Sequence, residues 1–139
     1  MTNLFHAAQK AGITVEYCRI PLNASLSVQD EGGDFVLMDY GLLKDETNER
    51  VHLAHEIGHC IKGAFYNAYA AHDVRQKHEN RADKWAIRQL IPKSAFFRAL
   101  GNGYTEICQL AEYFNVIEEF MRKAYCYYMH GNLAVELYF

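Results

Sequence analysis

Residues 51–62 read Val-His-Leu-Ala-His-Glu-Ile-Gly-His-Cys-Ile-Lys, and the expected fold is arranged around this segment. His55 and His59 lie four residues apart, so on a helix they share one face and both imidazoles can reach one metal ion. Glu56 lies at the edge of that face, where it could take a proton from a metal-bound water without being a ligand. The apolar residues that flank these three predict a largely buried helix.

A third metal ligand is expected on the next helix, where residues of one face recur at helical spacing. This stripe consists of Glu79, Ala82, Asp83, Ala86, Ile87 and Leu90. Carboxylates are costly to bury unless they bind a metal or a hydrogen-bonding partner. Glu79 is therefore the predicted ligand, and Asp83 is predicted to accept the other ring N–H of a ligand histidine. His72 and His78 remain alternative ligands, although Glu79 alone continues the stripe.

These segments resemble the ImmA/IrrE family of bacterial and phage metallopeptidases. The resemblance rests on the HExxH motif at residues 55–59, on Glu-Asn-Arg-Ala-Asp-Lys-Trp-Ala at 79–86 and on Leu-Ile-Pro at 90–92. Members of the family pair HExxH with a helix of the pattern E-x-x-A-D-x-x-A that runs into a Leu-x-Pro stop. The likeness extends over most of the chain.

The resemblance implies that His55, His59 and Glu79 bind Zn²⁺ and that Glu56 is the general base. Asp83 matches the acid that supports a ligand histidine in glutamate-type zincins. The family is associated with cleavage of a partner transcriptional repressor, in phages and mobile elements among other settings. The predicted function is a zinc-dependent endopeptidase that hydrolyses a peptide bond in a protein substrate, with such a repressor as the expected partner.

A function from a different class remains open beside this one. The chain could be a catalytically silent regulator that binds a repressor or another protein through a metal-stabilised fold. Binding alone would not require Glu56, so the intact HExxH motif favours the enzyme.

Composition limits the remaining possibilities. The chain has 139 residues, half of them hydrophobic, which predicts a single domain over residues 1–139 with a sizeable core. Its net charge of −3 disfavours direct binding of nucleic acid through a broad basic surface. Four cysteines without a CxxC spacing, together with the absence of a secretory segment, favour a reduced, cytoplasmic location. No apolar run reaches transmembrane length.

The fold class predicted from the order of the elements is α+β, a zincin-like metallopeptidase domain. A short helix should end at Gly12, and alternating apolar residues predict a strand over 13–18. Two further strands, beginning near Leu26 and near Phe35, flank a turn at 30–33. A small sheet of about three strands would then pack on the HExxH helix, and one edge strand is a candidate to pair with extended peptide.

The remaining segments are predicted to be mostly helical. Residues 63–78 are expected to form a loop or broken helix that could line the cleft and that contains Tyr66, Tyr69, His72 and His78. A tyrosine or histidine among them could stabilise an oxyanion, although a surface or packing role is the expectation for each. A brief helix over 94–100 and two amphipathic helices around a left-handed stop at Asn115 should follow. The last two resemble a helix-turn-helix, but Glu118 and Glu119 open the second helix where phosphates would be met, which disfavours DNA binding.

Overall fold

The computed structural model describes residues 2–67 and 69–139, in which six α-helices accompany a three-stranded sheet. In chain order the elements are α1 (Thr2–Lys10), β1 (Ile13–Cys18), β2 (Ser25–Asp30), β3 (Gly33–Asp39), α2 (Glu46–Ile61), α3 (His72–Leu90), α4 (Lys93–Gly101), α5 (Ile107–Phe114) and α6 (Glu118–His130). This arrangement confirms the predicted α+β class. The chain divides into two compact units, Met1–Ala86 and Ile87–Phe139. The prediction of a single domain over residues 1–139 stays a prediction.

The sheet of the first unit is mixed and has the strand order β1-β3-β2. Strand β1 runs parallel to β3, with Ile13 opposite Asp34, whereas β2 runs antiparallel to β3, with Ser25 opposite Met38. The tight turn predicted between β2 and β3 is present, and Gly33 there has a φ of 122°, which only glycine adopts readily. Since β2 pairs with β3 alone in the described sheet, its other edge is free for a further strand.

Helix α2 packs against β2 and β3 and carries the HExxH motif. Asp45 caps its N-terminus by accepting a hydrogen bond from the backbone N–H of Asn48 at 3.2 Å. Most apolar side chains of the helix are buried, as are alternate residues of the central strand that it faces. Fully buried members of this core are Val36, Met38, Leu53, Ala54 and Ile57. The motif is therefore held on a rigid element of the core.

The segment between α2 and α3 is shorter than the sequence predicted. The sequence predicts a loop or broken helix as far as His78, but a continuous α3 begins at His72. Its first turns are polar and exposed, so they lack the apolar periodicity that would mark a helix. Ala68, within the predicted loop, lies outside the described residues.

The second unit contains the predicted C-terminal helices. Asn115 has φ 54° and ψ 53° and ends α5 in the left-handed conformation, after which α6 packs against α5. Phe96 of α4 is fully buried, and its ring centroid lies 5.1 Å from that of Tyr128. Glu118 and Glu119 lie exposed in the first turn of α6, as expected.

The apolar C-terminal tail, residues 131–139, belongs to the second unit and contacts α6 of that unit through aromatic rings. Tyr138 stacks on His130 with ring centroids 3.8 Å apart and an interplanar angle of 7°. Leu137 nevertheless remains 71% exposed. Within the described part of the chain, no helix is both long enough and apolar enough to cross a membrane.

Candidate metal centre

The two histidines and the glutamate predicted as ligands lie together in the first unit. His55 Nε2 is 2.8 Å from Glu79 Oε2, and His59 Nε2 is 3.0 Å from the same oxygen. The two Nε2 atoms are 3.1 Å apart. The helical spacing of His55 and His59 and the position of Glu79 on α3 thus bring three potential ligand atoms to one point. His72 and His78, the alternative ligands, are outside this cluster as the described residues define it.

Hydrogen bonds at Nδ1, the ring nitrogen that faces away from Glu79, orient both imidazoles. His59 Nδ1 lies 2.6 Å from the carbonyl oxygen of Ala64, and because a carbonyl only accepts, Nδ1 carries the proton. His55 Nδ1 lies 2.8 Å from Asp83 Oδ1, the partner that the sequence predicted, and donates to it in the same way. A neutral imidazole protonated at Nδ1 has its lone pair on Nε2. With a metal ion bound, both Nε2 lone pairs would face the ion; without one, an Nε2 that hydrogen-bonds Glu79 Oε2 carries a proton, because a carboxylate only accepts.

The remaining oxygen of Glu79 is also bound. The hydroxyl of Tyr66 donates to Glu79 Oε1 at 2.8 Å, which leaves Oε2 facing the imidazoles. Tyr66 is 40% exposed and lines the cavity beside the cluster, as predicted for the loop after α2. Its role toward Glu79 was not predicted, because the sequence does not show which way its hydroxyl points.

The electrostatics of the cluster favour a cation among its three ligand atoms. Burial would lower the pKa of His55, but its hydrogen bonds with Asp83 and Glu79 raise that pKa to about 10. Burial would likewise lower the pKa of His59, and the hydrogen bond with Glu79 raises it. Burial would raise the pKa of Glu79, yet its bonds with both histidines and Tyr66 hold it well below its usual range. A proton or a metal ion can supply the positive charge.

The donor set fits zinc. Zinc is typically bound tetrahedrally by nitrogen and oxygen ligands at about 2.0–2.2 Å, which places neighbouring ligand atoms about 3.3–3.6 Å apart. The observed separations of 2.8–3.1 Å need to widen by only a few tenths of an ångström. Two oriented imidazoles and one carboxylate are also the ligands of many catalytic zinc sites. His55, His59 and Glu79 could therefore hold the ion.

Glu56 lies beside the cluster with a different partner. It is 8% exposed, and its Oε2 accepts a hydrogen bond from the Ser25 hydroxyl of β2 at 2.7 Å. Ser25 Oγ is also 2.9 Å from His52 Nδ1. The sequence predicted Glu56 at the edge of the ligand face but gave no signal for Ser25 or His52, because their contact joins a strand to a helix across 27 residues.

A cavity of about 330 Å³ opens over the cluster. The cavity is lined by the candidate ligand side chains and by Glu56. It is also lined by residues of β2 and of the segment just before it, among them Asn23, Ser25, Leu26 and Ser27. A substrate bound there would contact the free edge of the sheet and the cluster at once.

Gly58 makes this geometry possible. A Cβ atom at position 58 would lie 2.8 Å from the carbonyl oxygen of Ala82 and 3.2 Å from its Cα. Only a residue without a side chain lets α2 approach α3 this closely. The sequence does not show this role of Gly58, because Ala82 belongs to a different helix.

Comparison with known proteins agrees with this site. The family model described as the IrrE N-terminal-like domain, Peptidase_M78, matches residues 8–125. The chain belongs to this family. No curated protein and no solved structure gives a significant match.

Membership of the IrrE N-terminal-like family confirms the resemblance noted in the sequence and points to a zinc metallopeptidase. The matched region spans β1 to β3 and both helices of the His55, His59 and Glu79 cluster. The matched region therefore contains the three residues whose geometry could hold a metal ion.

Proposed function

We propose that this chain is a zinc-dependent endopeptidase that hydrolyses a peptide bond in a protein substrate. The observation that carries the proposal is that one cavity is lined by a possible metal cluster, by a separate carboxylate and by an edge strand. Metal-assisted hydrolysis of an extended peptide would use all three, whereas a purely structural metal site would need no adjacent base. Membership of the Peptidase_M78 family supports the same reaction class.

In this proposal His55, His59 and Glu79 hold the zinc ion, and Asp83 fixes the ring of His55. The hydrogen bond from His55 Nδ1 to Asp83 makes Nε2 a better donor toward the metal. Zinc, when bound, lowers the pKa of water toward neutrality and polarises a carbonyl oxygen. Tyr66 keeps Glu79 turned toward the imidazoles.

Glu56 is the proposed general base. Its carboxylate lines the cavity but is not one of the three converging ligands, so it can accept a proton from the attacking water. The same carboxyl group then donates that proton to the departing amine. The Ser25 hydroxyl binds one carboxylate oxygen and leaves the other for this exchange.

Strand β2 is the proposed binding element for the substrate backbone. Its free edge borders the cavity, and an extended peptide added to that edge would form main-chain hydrogen bonds whatever its sequence. Side chains near the edge, such as Asn23 and Leu26, would then contact the residues of the peptide that face them.

A transcriptional repressor is the proposed substrate, supported by the resemblance to the ImmA/IrrE proteins. The test is incubation of the purified, zinc-loaded protein with the repressor of its own genetic neighbourhood and, separately, with a proteome-derived peptide library. We expect discrete new N-termini that disappear with 1,10-phenanthroline and return when zinc is added. A repressor that stays intact but co-elutes with the protein, together with an uncut library, would favour the silent regulator instead.

A further inference from the structure

Three polar side chains form a chain of hydrogen bonds on the side of α2 that faces the sheet. Ser25 Oγ lies 2.7 Å from Glu56 Oε2 and 2.9 Å from His52 Nδ1. Ser25 is 8% exposed, as is Glu56, so this contact is shielded from water. The metal cluster does not include any of the three residues.

The direction of these hydrogen bonds is fixed by chemistry. A carboxylate only accepts, so the single hydroxyl proton of Ser25 is donated to Glu56. The oxygen of Ser25 is then free to accept from His52, whose Nδ1 must carry a proton for that bond. His52 thus prevents the Ser25 hydroxyl from turning away, and the Ser25 hydroxyl limits the rotation of the Glu56 carboxylate.

We propose that Ser25 is a positioning residue that aims Glu56 at the reacting water, with His52 fixing the Ser25 hydroxyl. This inference rests on the function proposed above and adds a residue outside the HExxH motif to it. Ser25 belongs to β2, the strand proposed to bind the substrate backbone. Ser25 would therefore both help to set the position of a peptide bound along β2 and orient the general base Glu56.

The expected consequence is a loss of turnover without a loss of substrate or metal binding. In Ser25→Ala the Glu56 carboxylate loses its charge-assisted hydrogen bond, and we expect kcat to fall on the order of 10-fold. KM and zinc content should stay at the parent values, because Ser25 contributes its backbone, and not its hydroxyl, to peptide pairing. Ser25→Thr keeps a hydroxyl in a strand and should recover most of the lost turnover.

A binding experiment tests the same point without catalysis. The probe is acetohydroxamic acid, which binds zinc and shares its proton with a neighbouring carboxylate, and imidazole is the comparison, since it binds zinc without needing a proton acceptor. Calorimetry on the zinc-loaded proteins should show that Ser25→Ala and Glu56→Gln both weaken acetohydroxamic acid binding, whereas imidazole affinity is unchanged. Ser25→Thr should bind both probes like the parent.

The outcomes separate this inference from the function on which it rests. The positioning role is overturned if Ser25→Ala has the turnover and the acetohydroxamic acid affinity of the parent. It is also overturned if Ser25→Thr loses as much turnover and affinity as Ser25→Ala. In both cases the peptidase proposal stands. If the parent cleaves neither repressor nor library and Glu56→Gln leaves acetohydroxamic acid affinity unchanged, the peptidase proposal itself fails. Equal thermal stability and zinc content of the variants exclude misfolding as the cause.

Discussion

Replacing Glu56 with glutamine is expected to abolish cleavage while leaving the metal bound. Glutamine has nearly the same shape, and its amide oxygen can still accept the hydrogen bond from Ser25, but it cannot take a proton from water. General acid–base catalysis contributes about 10²–10⁴-fold to such reactions, so kcat should fall by that factor. Zinc content, measured by metal analysis, should be unchanged because Glu56 is outside the His55, His59 and Glu79 cluster.

Glu49 provides the matched control for this substitution. It lies on the same helix, is also 8% exposed and accepts a hydrogen bond from Tyr17, yet it does not line the cavity. Glu49→Gln makes the same substitution at an equally buried position of the same helix and should retain turnover. Parent-like turnover in Glu56→Gln would remove the general-base assignment, whereas an equal loss in both variants would point to the fold of α2 and not to catalysis.

Replacing Gly58 with alanine is expected to separate the two helices that carry the candidate metal ligands. The new methyl group would lie 2.8 Å from the carbonyl oxygen of Ala82, which is backbone and cannot turn aside. Overpacking of this kind costs about 1–3 kcal/mol or more, and the shift of α3 would carry Glu79 away from the imidazoles. We expect a lower free energy of unfolding in urea and a zinc affinity at least about 10-fold weaker, in keeping with the sensitivity of metal sites to their supporting residues.

Gly101→Ala is the control for Gly58→Ala. Gly101 is the last residue of α4, and a Cβ built there meets no atom within 4 Å. Alanine favours helix over glycine, so the free energy of unfolding should stay the same or rise slightly. Parent-like stability and zinc affinity in Gly58→Ala would show that the helices have room to adjust.

The convergence of the three candidate ligands could be predicted because it depends on local periodicity. His55 and His59 share a helix face by spacing alone, and Glu79 and Asp83 stand out as carboxylates on an otherwise apolar stripe. The strands of the first unit could be predicted equally well, because alternating residues and the Asp30–Gly33 turn are local signals.

What the sequence did not reveal depends on packing between distant segments. Ser25 reaches Glu56 across 31 residues, and a serine in a strand carries no mark of its partner. Gly58 occupies a variable position of the HExxH motif. A glycine is required there because the backbone of Ala82 lies against it, and the sequence does not show that contact. The start of α3 was placed too late because its first turns are solvent-exposed and polar.

The central claim is that His55, His59 and Glu79 together hold one zinc ion, and metal analysis of purified variants tests it most directly. The parent should bind one zinc per chain, and so should His72→Ala, which removes a histidine of α3 outside the cluster. His59→Ala should bind zinc more than about 100-fold more weakly, since even the loss of an outer partner of a ligand costs about 10–100-fold. An unchanged zinc affinity in His59→Ala would contradict the claim.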